Sequence, residues 1–470
     1  MDDVEAPVFY YDESDFVGYE YLQDADYEYE YDDIEKETFH ELYQYCLGPT
    51  VYDTATYILP LLVSTIVFRL CAEHISHGTF HILSMLIGMY NIHHYVKECL
   101  FILIALCTFS YITLHIPKRY CKSVGIFLPP LCIIAYCEFS MPPIVWHQIR
   151  SVVLTMAMKT ISIAIDKLNS NDLPNIFSYM GYTFCGVTCL FGPWISFKDY
   201  ISIRCLNNQD KWWIMYTVQY AFLSFLFLTV SNCWTQWMVM DNSWKLVNVQ
   251  SKLILMWLLA YRDALSFRTS HYFISYIAST VLLLGGFPLA LTVIVKPLKV
   301  EFPRSLVQVV ICWNVPMHFW LKTYIFRPSI NYVGKFGAVT MTYLTSALLH
   351  GLNFQLAAVL LSLGFYTYVE FQLRSMLANI FDACVAAKQC AKNKCSHAYN
   401  TQNSWWVFLT NMMFSGLSVF HLAYLGLMFD TSELQETGYN YIHTIEKWSQ
   451  LGFASHWVMF VTYCIYFLIR

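Results

Sequence analysis

Long apolar runs, each about the length that crosses a bilayer, constrain this chain more than any other feature. About 20 predominantly apolar residues wound as a helix span the hydrocarbon core, where the backbone must satisfy its own hydrogen bonds. Candidate spans lie near 52–72, 98–116, 124–143, 151–166, 214–234, 272–296, 304–326, 336–351, 353–373, 404–429 and 451–469. Two further stretches, 78–95 and 178–197, are apolar but short or rich in Gly and polar residues, and read as re-entrant or broken helices. The pattern predicts an all-α polytopic membrane protein with about 11 transmembrane helices. Of its 470 residues 57% are apolar and 13% charged, a balance that fits this class. No internal repeat is visible, which weighs against a secondary transporter.

Charge divides the chain unevenly. Residues 1–45 hold 16 Asp and Glu against one basic residue, Lys36, leaving 17 acidic and 27 basic residues beyond and a net charge of +10 for the body. The segment 1–45 is expected to be an acidic, Tyr-rich tail without fixed structure, and 46–470 a single membrane domain. Basic clusters at 117-PKRYCK-122, at Lys245, Lys252, Arg262 and Arg268, and among 388–394 are expected in cytosolic loops. With an odd number of crossings and the basic terminus, Arg470, in the cytosol, the acidic head falls on the lumenal face. No cleavable secretory signal is recognised before the first span, which is itself expected to direct the chain to the endoplasmic reticulum membrane. The bilayer is the expected surroundings, and no nucleic-acid partner is expected.

Sixteen cysteines suggest a disulfide framework until their positions are considered. Most, including Cys107, Cys132, Cys233, Cys312 and Cys464, fall inside apolar spans, where thiols act as small hydrophobes. Cys384, Cys390, Cys395 and His397 cluster in DACVAAKQCAKNKCSH, but intervals of five, four and one residues fit no common zinc module. The segment reads as a basic cytosolic loop, open to S-acylation, and no metal is expected.

Polar residues inside the hydrophobic body concentrate in 311-ICWNVPMHFWLKTYIFRP-328 and 345-TSALLHGLNFQ-355. Ionisable groups in hydrocarbon are costly and usually line protein cavities with a function. Helical spacing puts Ser346 one turn before His350, and Gly351 lets a second backbone approach. In the first stretch Asn314 and His318 are expected to share a helix face strained by Pro316 between them, with Trp313 and Trp320 two turns apart. A dry cavity disfavours imidazolium, leaving a neutral ring able to take a proton from an attacking hydroxyl. An asparagine amide orients a reactant or donates to a developing oxyanion. No Gly-x-Ser-x-Gly nucleophile accompanies them, so direct transfer between two bound substrates is simpler than a covalent intermediate. His421, in SVFHLAYLG, has an equally apolar setting, and spacing does not choose between it and His350.

The run SALLHGLNFQLAAVLLSLGFYTYVE, preceded by WNVPMHFWLKTYIF, resembles the core of the membrane-bound O-acyltransferases. Further blocks carry the likeness in order: 146-WHQIRSVVLTMAMKTISIAID-166, 191-FGPWISF-197, 420-FHLAYLG-426 and 447-KWSQLGFASHWV-458. The resemblance implies a helical bundle around a central reaction chamber, its core at about 146–430. His350 matches the family's catalytic histidine and Asn314 its upstream partner. Trp313 and Ser346, in the same motifs, are expected to line the substrate pocket, and Gly192, Pro193 and Trp194 match a block near the acyl channel. His147 and Arg150 match positions without an assigned role.

Within the family the blocks are most similar to those of enzymes that acylate Wnt proteins. The resemblance therefore implies transfer of a cis-Δ9 palmitoleoyl group from palmitoleoyl-CoA to a Wnt serine hydroxyl, with acyl-CoA as a substrate and no cofactor. The CoA phosphates would meet cations at the cytosolic mouth. The alternatives are another acceptor within the family, such as a lysophospholipid or a different secreted protein, and outside it a polytopic transporter.

Overall fold

The computed structural model describes residues 38–116, 124–168, 173–203, 211–238, 249–351, 353–390, 395–429 and 441–470, and among these it is helical with no β-strand. The chain enters at α1, Phe39–His74, which continues unbroken through the expected end of the acidic tail at 45. Residues 1–37 of the expected tail lie outside the described residues. Next come α2 (His77–Tyr95), α3 (Leu100–Leu114), α4 (Val124–Ser140), α5 (Pro143–Leu168) and the short α6 (Ile176–Thr183). Then follow α7 (Trp213–Trp234) and the long α8 (Val249–Leu284). The remainder comprises α9 (Leu306–Trp313), α10 (Val315–Leu321), α11 (Arg327–Leu349), α12 (Phe354–Ile380), α13 (Trp405–Gly426), α14 (Tyr441–Gln450) and α15 (Ala454–Ile469).

Five of these helices are long and apolar enough to cross a membrane by themselves, and α14 with α15, bent by 75° at their junction, would make a sixth. That is fewer than the eleven runs counted in the sequence, because several runs are divided among shorter or irregular pieces. The run 304–326 is broken at Asn314, and 272–296 leaves helical geometry after Leu284. The run 336–351 begins just after a kink at Gly334, whose φ of 70° belongs to the left-handed region. Of the two stretches expected to be broken, 178–197 is so, whereas 78–95 lies within the continuous helix α2.

Small residues explain how α2 fits among its neighbours. An added Cβ on Gly88 would lie 1.5 Å from the Phe184 carbonyl oxygen, and one on Gly181 2.7 Å from that of His81. Backbones therefore touch directly, and polar groups fasten the contact: Ser84 Oγ donates to the Gly181 carbonyl at 2.8 Å and Asn91 Nδ2 to that of Gly186 at 3.2 Å. In hydrocarbon such close contact and interhelical hydrogen bonds replace the hydrophobic drive of a soluble core.

Lys159, wholly buried on α5, donates from Nζ to the carbonyls of Tyr182 and Thr183 at 3.1 Å each and to Thr188 Oγ1 at 2.8 Å. It thus places a cation against the carbonyl end of α6, where the helix dipole favours positive charge. Arg262 and Arg268 are also inside, on α8, and not in the cytosolic loop expected of them. Arg268 clasps Glu301 through Nε and Nη2 at 2.8 and 2.9 Å, while Arg262 pairs with Asp263 at 2.7 Å. Cys233, read as a small hydrophobe, forms a disulfide with Cys46 that ties α1 to α7. The 117–122 cluster and Lys245 lie outside the described residues.

Candidate active site

The two polar stretches singled out in the sequence both occupy helix breaks. Asn314 separates α9 from α10 with φ −147° and ψ 93°, and its Oδ1 accepts from Met317 N at 3.0 Å as the N-cap of α10. Pro316 falls in the first turn of α10, where its missing N–H leaves no bond unmade. Asn314 and His318 therefore do not share a helix face across a Pro strain, as the spacing predicts; Asn314 ends one helix and starts another. Its carbonyl still accepts from His318 N at 2.9 Å. With Oδ1 occupied by the cap, the amide nitrogen remains as the hydrogen-bond donor of this half-buried side chain.

His350 terminates α11. Its N–H donates to the Ser346 carbonyl at 3.2 Å, so the one-turn spacing holds, and Gly351 follows with φ 96° before Asn353 caps α12. A Cβ on Gly351 would stand 2.8 Å from Glu138 Oε2 and 3.3 Å from Trp146 Nε1, two atoms hydrogen-bonded to each other at 2.8 Å. The bend that presents His350 thus lies directly against α4 and α5, with Arg150 Cδ at 3.5 Å from the same point. Non-helical backbone at membrane depth is tolerated only where it is buried in protein or lines a cavity. His350 is half-buried.

His271, on α8, holds the residue before the Asn314 break. Its Nε2 donates to the Trp313 carbonyl at 2.9 Å, and its ring lies flat on the Trp313 indole, 4.4 Å between centroids and 2° from parallel. Asn314 is further fixed by two flanking backbone bonds, Lys296 N to the Cys312 carbonyl at 3.0 Å and Val315 N to that of Ile294 at 2.8 Å. Trp313 and Asn314 thus stand together at one helix break and His350 at another, with Ser346 buried one turn before His350. His271 was not singled out from the sequence. Its signal there is the polar density of 266-SFRTSHY-272 in an otherwise apolar region.

The 192–194 segment stands on the far side of α10. Gly192 has φ 69° and precedes a cis bond to Pro193. Trp194, 8% exposed, donates from Nε1 to Ser162 Oγ at 3.0 Å and stacks on Phe319 at 6.1 Å. The indole is occupied in bracing α10 against α5. His147 is exposed at the start of α5. His421, by contrast with His350, is only 1% exposed, hydrogen-bonded through Nδ1 to Ser455 and set against the Tyr366 ring at 4.9 Å. Access for a substrate thus separates two histidines that spacing left equivalent.

A helical membrane bundle with a His and an Asn at helix breaks defines a class, and residues 52–426 match the membrane-bound O-acyltransferase family. The chain belongs to that family and is an acyltransferase. It is 34% identical to the protein-serine O-palmitoleoyltransferase porcupine of Mus musculus and equally to that of Homo sapiens, in each case over 92% of this chain and 98% of the relative. The protein of the same name from Anopheles gambiae is 33% identical over 89% of this chain and 86% of its own length.

Proposed function

We propose that the protein transfers palmitoleate from palmitoleoyl-CoA to a serine hydroxyl of Wnt proteins in the endoplasmic reticulum membrane. The observation that supports the chemistry is that His350 and Asn314 each stand at a helix break, the turn after His350 lying against Glu138, Trp146 and Arg150. Likeness to the palmitoleoyltransferases along almost the whole chain supports the choice of acyl group and of a serine acceptor.

His350 takes the proton of the serine hydroxyl as that oxygen attacks the thioester carbonyl. The C–S bond then breaks, the CoA thiolate leaves, and the proton held on the imidazole returns to it, so that a serine ester and free CoA are the products. The Asn314 amide N–H donates to the carbonyl oxygen as charge develops there, or holds the donor in place for attack. A positioned base supplies about 10²–10⁴ in rate and a preorganised donor about 10²–10³. Trp313, held by His271, walls the pocket; Ser346 supports the His350 turn through its carbonyl. Gly192, Pro193 and Trp194 contribute by holding α10, and so Asn314, against α5. Among the charged residues near the chamber Arg150 is placed to meet an anionic group of the donor.

The test is acyl transfer in detergent from labelled palmitoleoyl-CoA to a Wnt hairpin peptide with its serine present or replaced by alanine. Serine-dependent product with wild type, lost with His350→Ala, is the expected result. A well-folded wild type that gives no product with this pair, but acylates a lysophospholipid, would overturn the choice of acceptor.

A further inference from the structure

Beyond α12 the chain turns back on itself in a compact loop before α13, and this loop gathers four metal-binding side chains. Cys384 is buried, Cys390, Cys395 and His397 are half-buried, and their ligand atoms all lie within 4.8 Å of one another. Cys384 Sγ is 3.6 Å from Cys390 Sγ; His397 Nδ1 is 3.6 Å from Cys390 Sγ and 3.5 Å from Cys395 Sγ. Tetrahedral zinc, with Zn–S of about 2.3 Å and Zn–N of about 2.0 Å, requires edges of about 3.8 Å between sulfurs and about 3.5 Å between sulfur and nitrogen. Three of the six edges, at 3.5–3.6 Å, are close to those lengths, and the others are no longer than 4.8 Å. The intervals along the chain match no common module, but what a metal reads is the convergence of ligands in space.

The surroundings are those of a built site. Backbone bonds from Cys384 N to the Tyr399 carbonyl at 2.8 Å and from Tyr399 N to that of Asp382 at 3.1 Å hold the two limbs of the loop together. Arg304 Nη2 lies 3.9 Å from Cys384 Sγ and 2.7 Å from the Cys384 carbonyl. Three thiolates, a neutral imidazole and a divalent zinc carry a net single negative charge, which that guanidinium offsets. Second-shell groups of this kind orient ligands and tune the metal.

We propose that Cys384, Cys390, Cys395 and His397 form a structural zinc site that locks this loop against the start of α9 and thereby steadies the helix that ends at Asn314. The connection is direct. Arg374 Nε donates to the Val385 carbonyl at 2.7 Å, Ser305 Oγ to that of Ala387 at 2.9 Å, and Arg374 Nη1 to that of Arg304 at 2.6 Å. Glu370, paired with Arg374 at 2.9 Å, accepts from Leu306 N, the first residue of α9, at 2.8 Å. Four protein ligands leave no open coordination position, so the role is structural and not catalytic. The link to Asn314 rests on the acyl-transfer reading; the metal itself does not.

The experiment is elemental analysis of the full chain purified in detergent, with zinc as the probe. Wild type should carry about one zinc per chain, and Cys390→Ser or Cys395→Ser should carry less than about a tenth of that, as expected of a four-ligand site reduced to three. Cys464→Ser, on α15 outside the cluster, should keep the full content, and Cys395→His should retain zinc as a Cys2His2 site. Should the serine variants fail to fold, a strong chelator applied to wild type decides: zinc leaves, the cluster thiols become open to maleimide, transfer falls, and added zinc restores both protection and transfer. Wild type purified without stoichiometric zinc, or with a Cys384–Cys390 disulfide or a thioester-linked acyl chain on these cysteines by intact mass, overturns the proposal. Loss of zinc without loss of transfer overturns only the link to Asn314.

Discussion

At the scale of single residues the site rests on side chains whose roles separate by substitution. His350→Ala should lower transfer by about 10²–10⁴ while the protein keeps its elution volume and thermal transition; wild-type activity in this variant would remove His350 from the chemistry. Asn314 has two tasks in this reading, because Oδ1 caps α10 and Nδ2 is the donor offered to the reaction. Asn314→Ala should therefore lose both rate and about 1 kcal/mol of stability from the lost cap. Asn314→Asp keeps an acceptor for Met317 N but no donor, so its stability should stay near wild type while the rate falls. Full activity in Asn314→Asp would mean that the cap, and not the amide N–H, is what the reaction needs. His271→Phe preserves the flat contact with Trp313 and removes the bond to its carbonyl. We expect about tenfold slower turnover from that one hydrogen bond, with KM for palmitoleoyl-CoA little changed; an effect on KM alone would place His271 in donor binding.

At the scale of elements, much of what holds the helices in place was not legible in the hydropathy pattern. Apolar runs announce helices, but every residue of such a run looks alike, so the pattern does not say which face meets which neighbour. Gly88 illustrates this: in the sequence it is a glycine inside a short apolar stretch, and in the fold it is the point where α2 touches the Phe184 backbone. Gly88→Ala should prevent that contact and cost about 1–3 kcal/mol or more through overpacking, read as a lower unfolding temperature in detergent. Lys159 interrupts the expected 151–166 span and is satisfied by the end of α6 and by Thr188, which lie in a different part of the sequence. Lys159→Met keeps the stem and leaves the carbonyls of Tyr182 and Thr183 without their donor, at about 1–3 kcal/mol for each buried group so left. A variant as stable as wild type would show that water replaces the ammonium there.

At the scale of the whole molecule, topology follows from where positive charge remains outside the membrane. If the acidic head is lumenal and Arg470 cytosolic, as charge bias and an odd number of crossings predict, epitope tags on intact microsomes should divide. The N-terminal tag should resist added protease and the C-terminal tag should not; equal digestion of both would require an even number of crossings. The sequence alone determined the class of molecule, because apolar runs of bilayer length leave few structures available, and its motif order pointed to the acyltransferase family. Polar groups that stand out against hydrocarbon marked the segments of His350 and Asn314, and the family resemblance picked out those two residues. Only the tertiary structure decided that both sit on helix breaks, that His271 holds Trp313 beside Asn314, that His421 is almost wholly buried, and that three cysteines and a histidine at irregular intervals converge. Linear spacing encodes neighbours within one helix, whereas these relations are made between elements by close contact and hydrogen bonds across the bundle.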